Sequence, residues 1–145
     1  MPVNGMTVGM DYTLSYYDAN TNSIINLGDV QHVDIKAMKH LIKSMPYNAP
    51  PRYGYIPDGY HITFTITRAT STLEDLMATL EANFNADKIY KPGYLNETIQ
   101  NADGTISRFQ YTNCVIYLDD HGNITRERTV SLRVEAYASE KIAIA

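Results

Sequence analysis

The sequence contains a single cysteine, Cys114, no tryptophan and only three phenylalanines. One thiol forms neither an internal disulfide nor a cysteine-based metal site. In the strand-like run Tyr111-Thr112-Asn113-Cys114-Val115 it reads as a small buried hydrophobe. No apolar run approaches the roughly 20 residues that carry a helix across a bilayer. Met1-Pro2-Val3-Asn4 lacks the basic start and apolar stretch of a secretory signal, so a soluble chain made in the cytoplasm, with no membrane partner, is expected. Basic residues are in deficit: 12 Lys and Arg against 16 Asp and Glu give a net charge of −4. Proteins that grip nucleic acid through its phosphates carry a basic stripe instead. Contact with DNA without adhesion is compatible with this charge.

Catalytic signatures are missing as well. His32, His40, His61 and His121 show no ligand spacing, and no GxSxG, Walker A or GxGxxG sequence occurs. Asp119, Asp120 and Asn123 lack the spacing of an EF-hand and read as a turn. Glu74 and Asp75 fall in a first helical turn, where the helix dipole favours negative charge. Glu127 and Glu135 are expected on a strand, paired with Arg126, Arg128 or Arg133. No catalytic residue, cofactor or metal is expected, and the chain reads as non-enzymatic.

What is present is tyrosine and alternation. Twelve tyrosines and a hydrophobic fraction of 44% in 145 residues fit one domain with half-buried strands or interfaces. The first nine residues, with Gly5 and Gly9, read as a flexible N-terminal arm. Met10, Tyr12, Leu14 and Tyr16 then share one strand face, and Ile24 to Leu27 are the expected hairpin partner. Val33, Ile35 and Ala37 mark another strand. Tyr60, Ile62, Phe64 and Ile66 mark the cleanest one. Ser71-Thr72-Leu73-Glu74 is a capping box ahead of a helix over 71–86. Leu73, Leu76, Met77, Leu80 and Phe84 form its inward stripe. A strand through Leu95, Glu97 and Ile99 leads to the hairpin turn Asn101-Ala102-Asp103-Gly104. The next strand is predicted to place Phe109, Tyr111, Asn113, Val115 and Tyr117 on one face. Ile124, Val130, Leu132, Val134 and Ala136 are expected inward on the last. The fold class is mainly β with one α-helix: a β-sandwich or partly closed barrel of about seven or eight strands, the helix at its side.

Two segments do not suit a solitary monomer. Residues 39–59 read as a long proline-rich loop, since Pro46, Pro50, Pro51 and Pro57 break any regular interior element. The run from Ala37 to Met45 fits a short helical stripe and equally an extension of the preceding strand. A long loop carrying Met45, Tyr47, Tyr53, Tyr55 and Ile56 is expected to be an interaction site, the alternative being a loop folded back on its own sheet. The closing Lys141-Ile142-Ala143-Ile144-Ala145 is alternating and apolar, so it is expected to lie on its own sheet or a neighbour. Long strands with open edges invite a further strand, and identical copies adding edge to edge close a ring.

The second half resembles a known family. Its residues are Glu97-Thr98-Ile99, the run from Asn101-Ala102-Asp103-Gly104 through Phe109-Gln110-Tyr111-Thr112-Asn113-Cys114, the turn Asp120-His121-Gly122, and the strand from Arg128 to Ala136. With Thr63-Phe64-Thr65-Ile66-Thr67-Arg68 and the helix from Leu73 to Phe84 before them, they resemble the tube protein of contractile phage tails over nearly the whole chain. The resemblance implies a hexameric ring with a continuous inner β-barrel. Rings stack into a virion tail tube inside a sheath, with DNA passing through the lumen without sequence-specific binding. Implied partners are further copies of the chain and the sheath, baseplate, tail terminator and tape measure proteins. The family's long loop, here Lys39 to Gly59, contacts adjacent subunits and rings. Contact residues are expected at Lys39, Lys43, Met45, Tyr47, Pro50, Pro51, Arg52, Tyr53, Tyr55, Ile142 and Ile144. Lys36, Lys39 and Lys43 are expected to pair with acids on a neighbour. Relatives by fold set the alternatives: a type VI secretion tube, a tail-derived bacteriocin tube or a baseplate tube initiator. A small-ligand β-barrel is the more distant reading.

Overall fold

The computed structural model describes residues 4–5, 12–20, 22–25, 27, 29–68, 71–122 and 124–144. Apart from Asn4 and Gly5, the expected N-terminal arm lies outside these residues, as do Met10 of the first strand face and Asn123 of the 119–123 turn. The elements are β1 (Tyr12–Asp18), β2 (Ser23–Ile25), β3 (Asp29–Ser44), β4 (Arg52–Thr67), α1 (Thr72–Asn85), β5 (Gly93–Gln100), β6 (Ile106–Asp120), β7 (Ser131–Ala138) and β8 (Glu140–Ala143). All pairings are antiparallel, along the path β2-β1-β5-β6-β7-β4-β3, with β8 also on β6. Among the described residues the two ends of the path do not pair, so the barrel is open.

The path folds into two layers at β6. Residues Ile106 to Cys114 pair with β5, while Val115 to Asp120 pair with β7. The corner is a bulge: Gly93 faces Cys114 but Leu95 faces Tyr111, so one residue of β5, Tyr94, opposes two of β6, Thr112 and Asn113. Asn113, at φ +50°, absorbs the extra residue. β7 and β8 follow the bend along the other side of β6, tied by the Ser139 N–H to the Thr112 carbonyl at 3.0 Å.

Side chains from both layers form one core. β4 contributes Ile62, Phe64 and Ile66, and β7 contributes Leu132, Val134 and Ala136. Leu14, Tyr16, Leu95, Tyr111, Cys114 and Ile116 close it. Leu73 and Leu76 of α1 are buried there, each supplying about 1.5–3 kcal/mol.

The structure corrects several expectations. Phe109 to Tyr117 do not share a face, because the bulge at Asn113 shifts the alternation: Tyr111, Cys114 and Ile116 are buried, and Asn113, Val115 and Tyr117 are exposed. The capping box does not form. Ser71 makes no cap hydrogen bond and donates to Asp75 Oδ2 at 2.9 Å, while Glu74 is held by Arg68 at 2.6 Å. Phe84 ends the stripe 80% exposed, and Ile124 is exposed in the connection before β7. Glu127 lies in that connection rather than on a strand.

Residues 39–59 are not an irregular loop. β3 and β4 continue through them as a hairpin, Lys39 facing Pro57 and Ser44 facing Arg52. Each strand has 16 residues, about 50 Å at the ordinary rise. β7 covers β4 only from Tyr60 to Thr67, so Arg52 to Gly59 have an open side and Pro57 removes no needed donor. The turn at 45–51 takes the other three prolines.

Candidate assembly surface

Beyond Gly59 the hairpin is a two-stranded ribbon with no second layer among the described residues. Ala37 faces Tyr60 but Lys39 faces Pro57, so β4 carries a bulge, and Gly59 takes it at φ +90°. A Cβ on Gly59 would come within 2.8 Å of the Ala138 carbonyl, so the ribbon leaves the body where β7 ends. Period-two alternation then gives the ribbon two faces. The face continuing the core side of the sheet carries Lys39, Leu41, Lys43, Tyr53 and Tyr55. The Lys39 ammonium lies 4.6 Å from the Tyr55 ring centre, and Lys43 lies 5.5 Å from that of Tyr53. The opposite face carries His40, Ile42, Arg52 and Ile56. Every one of these side chains is exposed, and Tyr47 at the tip is 100% exposed.

The ribbon therefore gathers Lys39, Lys43, Met45, Tyr47, Pro50, Pro51, Arg52, Tyr53 and Tyr55 into one projection. It also presents Leu41 and Ile42, absent from the expected contact residues although their alternation with Lys39 and Lys43 signals a strand. Ile142 and Ile144 are elsewhere. β8 pairs Ile142 with Gln110, and the Ile144 N–H donates to the Arg108 carbonyl at 3.0 Å. The tail thus lies on its own sheet, with both isoleucine side chains still partly exposed.

Among the described residues, β6, β7, β4 and β3 form a four-stranded sheet with two open edges. Among the described residues, no strand pairs with β3 on the side away from β4. On β6, residues 117–120 likewise have only β7 beside them. Its outward face is polar, with Thr63, Thr65, Arg133 and Glu135 near the centre. His61 stacks on Tyr137 at 4.6 Å between ring centres, and Tyr117 continues the row at 6.4 Å. Tyr117 donates to Glu135, which raises the tyrosine's pKa, and Arg133 lies 3.7 Å from both Asp119 and Glu135.

The remaining reactive groups are dispersed. His32 and His40 lie on β3, His61 on β4, and His121 follows β6. Among the described residues no three His, Cys, Asp or Glu side chains come together as a metal site. Burial pushes the Cys114 thiol up to about 12, which keeps it protonated and unreactive. What the surface offers instead is backbone and apolar side chains to another strand.

No protein-family model matches the chain, and no curated protein matches it. Solved structures do. One is from the extended sheath-tube complex of an extracellular contractile injection system, PVC (12% identity, TM-score 0.63, 99% of this chain and 94% of that one). A second is from the anti-feeding prophage baseplate (5% identity, TM-score 0.61, 98% and 97%). A third is from the PVC sheath/tube terminator (13% identity, TM-score 0.60, 100% and 98%). At these identities the likeness establishes a shared fold.

Proposed function

We propose that this chain is the structural, non-catalytic subunit of a contractile tail tube. Six copies close a ring, rings stack into a tube with a central channel, and a sheath surrounds it. The carrying observation is the four-stranded sheet with both edges open, in a fold shared end to end with chains from tube-bearing assemblies. β3 opposes β4, β4 opposes β7 and β7 opposes β6, so β3 and β6 run in opposite directions. Joining β6 of one copy to β3 of the next preserves antiparallel pairing around the ring. The join removes both edges, as barrel closure does.

The polar outward face of that sheet then lines the channel. A chain of net charge −4 favours a wall that repels phosphates and lets DNA slide. The sheath, baseplate and terminator named for the similar structures are the partners this reading carries over, with a tape measure protein and DNA in the channel of a virion. A second reading keeps the tube and changes its load. The similar structures come from injection systems, which favours a tail-derived injection device over a phage tail.

Negative-stain microscopy of the purified full-length chain tests the assembly. Rings or hollow rods of uniform width are expected, with sixfold averages end on. A protein that stays monomeric at every concentration and forms no rods overturns the reading, and another symmetry removes the hexamer alone. Native particles purified from the producing cells separate the two loads: tails on DNA-filled heads support a phage, headless particles an injection device.

A further inference from the structure

Cross-strand partners share one face of a sheet, so the register of β3, β4, β7 and β6 lays out the outward surface in rows. Lys36, His61 and Tyr137 lie in one row, and Asp34, Glu135 and Tyr117 in the next. His32, Arg133 and Asp120 lie in a third, with Asp119 3.7 Å from Arg133. At neutral pH these rows hold two cations, Lys36 and Arg133, against four carboxylates, Asp34, Glu135, Asp119 and Asp120. The face is acidic, and two histidines stand in it.

The central histidine has an unfilled bond. His61 stacks on Tyr137 with the rings 11° from parallel, which fixes where its nitrogens point. Its Nε2 is buried and, among the described residues, has no hydrogen-bond partner. Glu135 Oε1 lies 3.8 Å away. That oxygen also lies 3.7 Å from Arg133 Nη2, while Oε2 accepts from Tyr117. A proton on Nε2 turns the idle contact into a charge-assisted donor to Glu135 and places a cation on the Tyr137 ring. Across β3 His61 meets Lys36, with Asp34 one row on, and along β4 its same-face neighbours Gly59 and Thr63 are uncharged. Lys36 opposes the added charge from water, where salt screens it, whereas Glu135 favours it from a half-buried site. His32 is exposed, with Asp34 two residues along its own strand and Arg133 beyond Thr65 in its row. Histidine is the side chain whose charge ordinarily changes between about pH 5 and 8.

We infer that this face is a proton-operated charge switch: proton uptake at His61, beside Glu135, and at His32 turns an acidic wall neutral and ends its repulsion of phosphates. This rests on the ring reading, which sets six such faces around one channel, and it adds a regulation to it. A polyanionic load is kept off the wall at neutral pH and is admitted to it in acid.

The test uses tubes assembled from the full chain and sedimented with a labelled oligothymidylate, whose own charge is constant over the range used. At pH about 8 the wild type should exclude the probe, and at pH about 6 retention should rise by about tenfold. His61→Gln with His32→Gln should flatten the rise. His121→Gln should keep it, since that histidine acts on Glu74 of α1 instead. Glu135→Gln should raise retention at pH about 8, because it removes a carboxylate from the wall. Microscopy and thermal unfolding check that each variant folds and assembles, and Glu135→Gln alone decides if the double histidine variant forms no tubes. A wild type that never assembles sinks the ring reading and the switch with it. Wild-type tubes that retain the probe equally at both pH values overturn the switch and leave the ring standing. A full rise in the double histidine variant does the same, as does a Glu135→Gln tube that excludes the probe as the wild type does.

Discussion

The Tyr12 hydroxyl donates to Glu97 Oε2 at 2.7 Å, joining β1 to β5 within the body of the protein. Tyr111 donates to the same oxygen from β6 at 3.2 Å. Glu97 is only 3% exposed and Tyr111 fully buried, so one carboxyl satisfies hydroxyls from two neighbouring strands. Glu97→Ala leaves buried hydroxyls unpaired and should cost about 1–3 kcal/mol for each fully desolvated one. Tyr12→Phe removes one bond and leaves the other in place, so a loss near 1 kcal/mol is expected. Urea unfolding compares the three proteins. Equal stability of Glu97→Ala and wild type would show that the carboxyl holds nothing.

The same cluster fixes a pH dependence. Burial, reinforced by Glu97, pushes the Tyr12 and Tyr111 hydroxyls well above their ordinary 10.0, and burial does the same at Tyr16. A raised folded pKa means that the native state holds its proton more tightly than the unfolded chain does. This contribution is complete below pH 10 and is lost as pH rises from there through the folded values. Unfolding midpoints should therefore fall as pH climbs past 10, and Tyr12→Phe should flatten the fall. A midpoint flat across that range would contradict the assignment.

The corner of β6 gives a third test. Asn113 holds φ +50° with its side chain in solvent, a conformation Asn tolerates and β-branched residues do not. Asn113→Val should cost about 1–2 kcal/mol from the backbone alone, and Asn113→Gly should be near neutral. Gly93, opposite the bulge, is stricter. A Cβ there would meet the Tyr17 carbonyl at 1.9 Å and the Tyr16 hydroxyl at 2.9 Å. Gly93→Ala should destabilise more than Gly54→Ala, whose new methyl meets nothing within 4 Å and whose backbone is not in the left-handed region. Thermal unfolding ranks them, and the reverse order would refute the packing at this corner.

Period-two alternation made most of this fold legible. Ile62, Phe64 and Ile66, then Leu132, Val134 and Ala136, are buried as their spacing demands. The failures share a cause: features that depend on partners distant in sequence. Nothing local in Asn113 announces a bulge, because the extra residue exists only relative to β5. Pro57 breaks a central strand but not the open side of a ribbon, and only the shortness of β7 leaves that side open. Arg68 withdrew Glu74 from its cap by offering a charge-assisted bond. Phe84 obeyed its helical phase, yet the core stopped a turn short of it. At the candidate surface, residues 45–55 stood out by composition, whereas Leu41 and Ile42 were visible only once β3 was known to continue.

The ribbon should be dispensable for folding and indispensable for assembly. Tyr53 and Pro50 lie on or beside it, exposed, beyond the reach of β7. Exposed substitutions away from caps and special backbone ordinarily change stability by no more than about 0.5 kcal/mol. Tyr53→Ala also releases the Lys43 ammonium from its ring, a contact worth about 0.5–1 kcal/mol at an exposed site. Both variants are expected to melt close to wild type while forming fewer and shorter rods in the microscope, with the larger deficit at Tyr53. Parallel losses in melting temperature and rod length would mean that the ribbon is part of the folded core after all, and its role between copies would go with it.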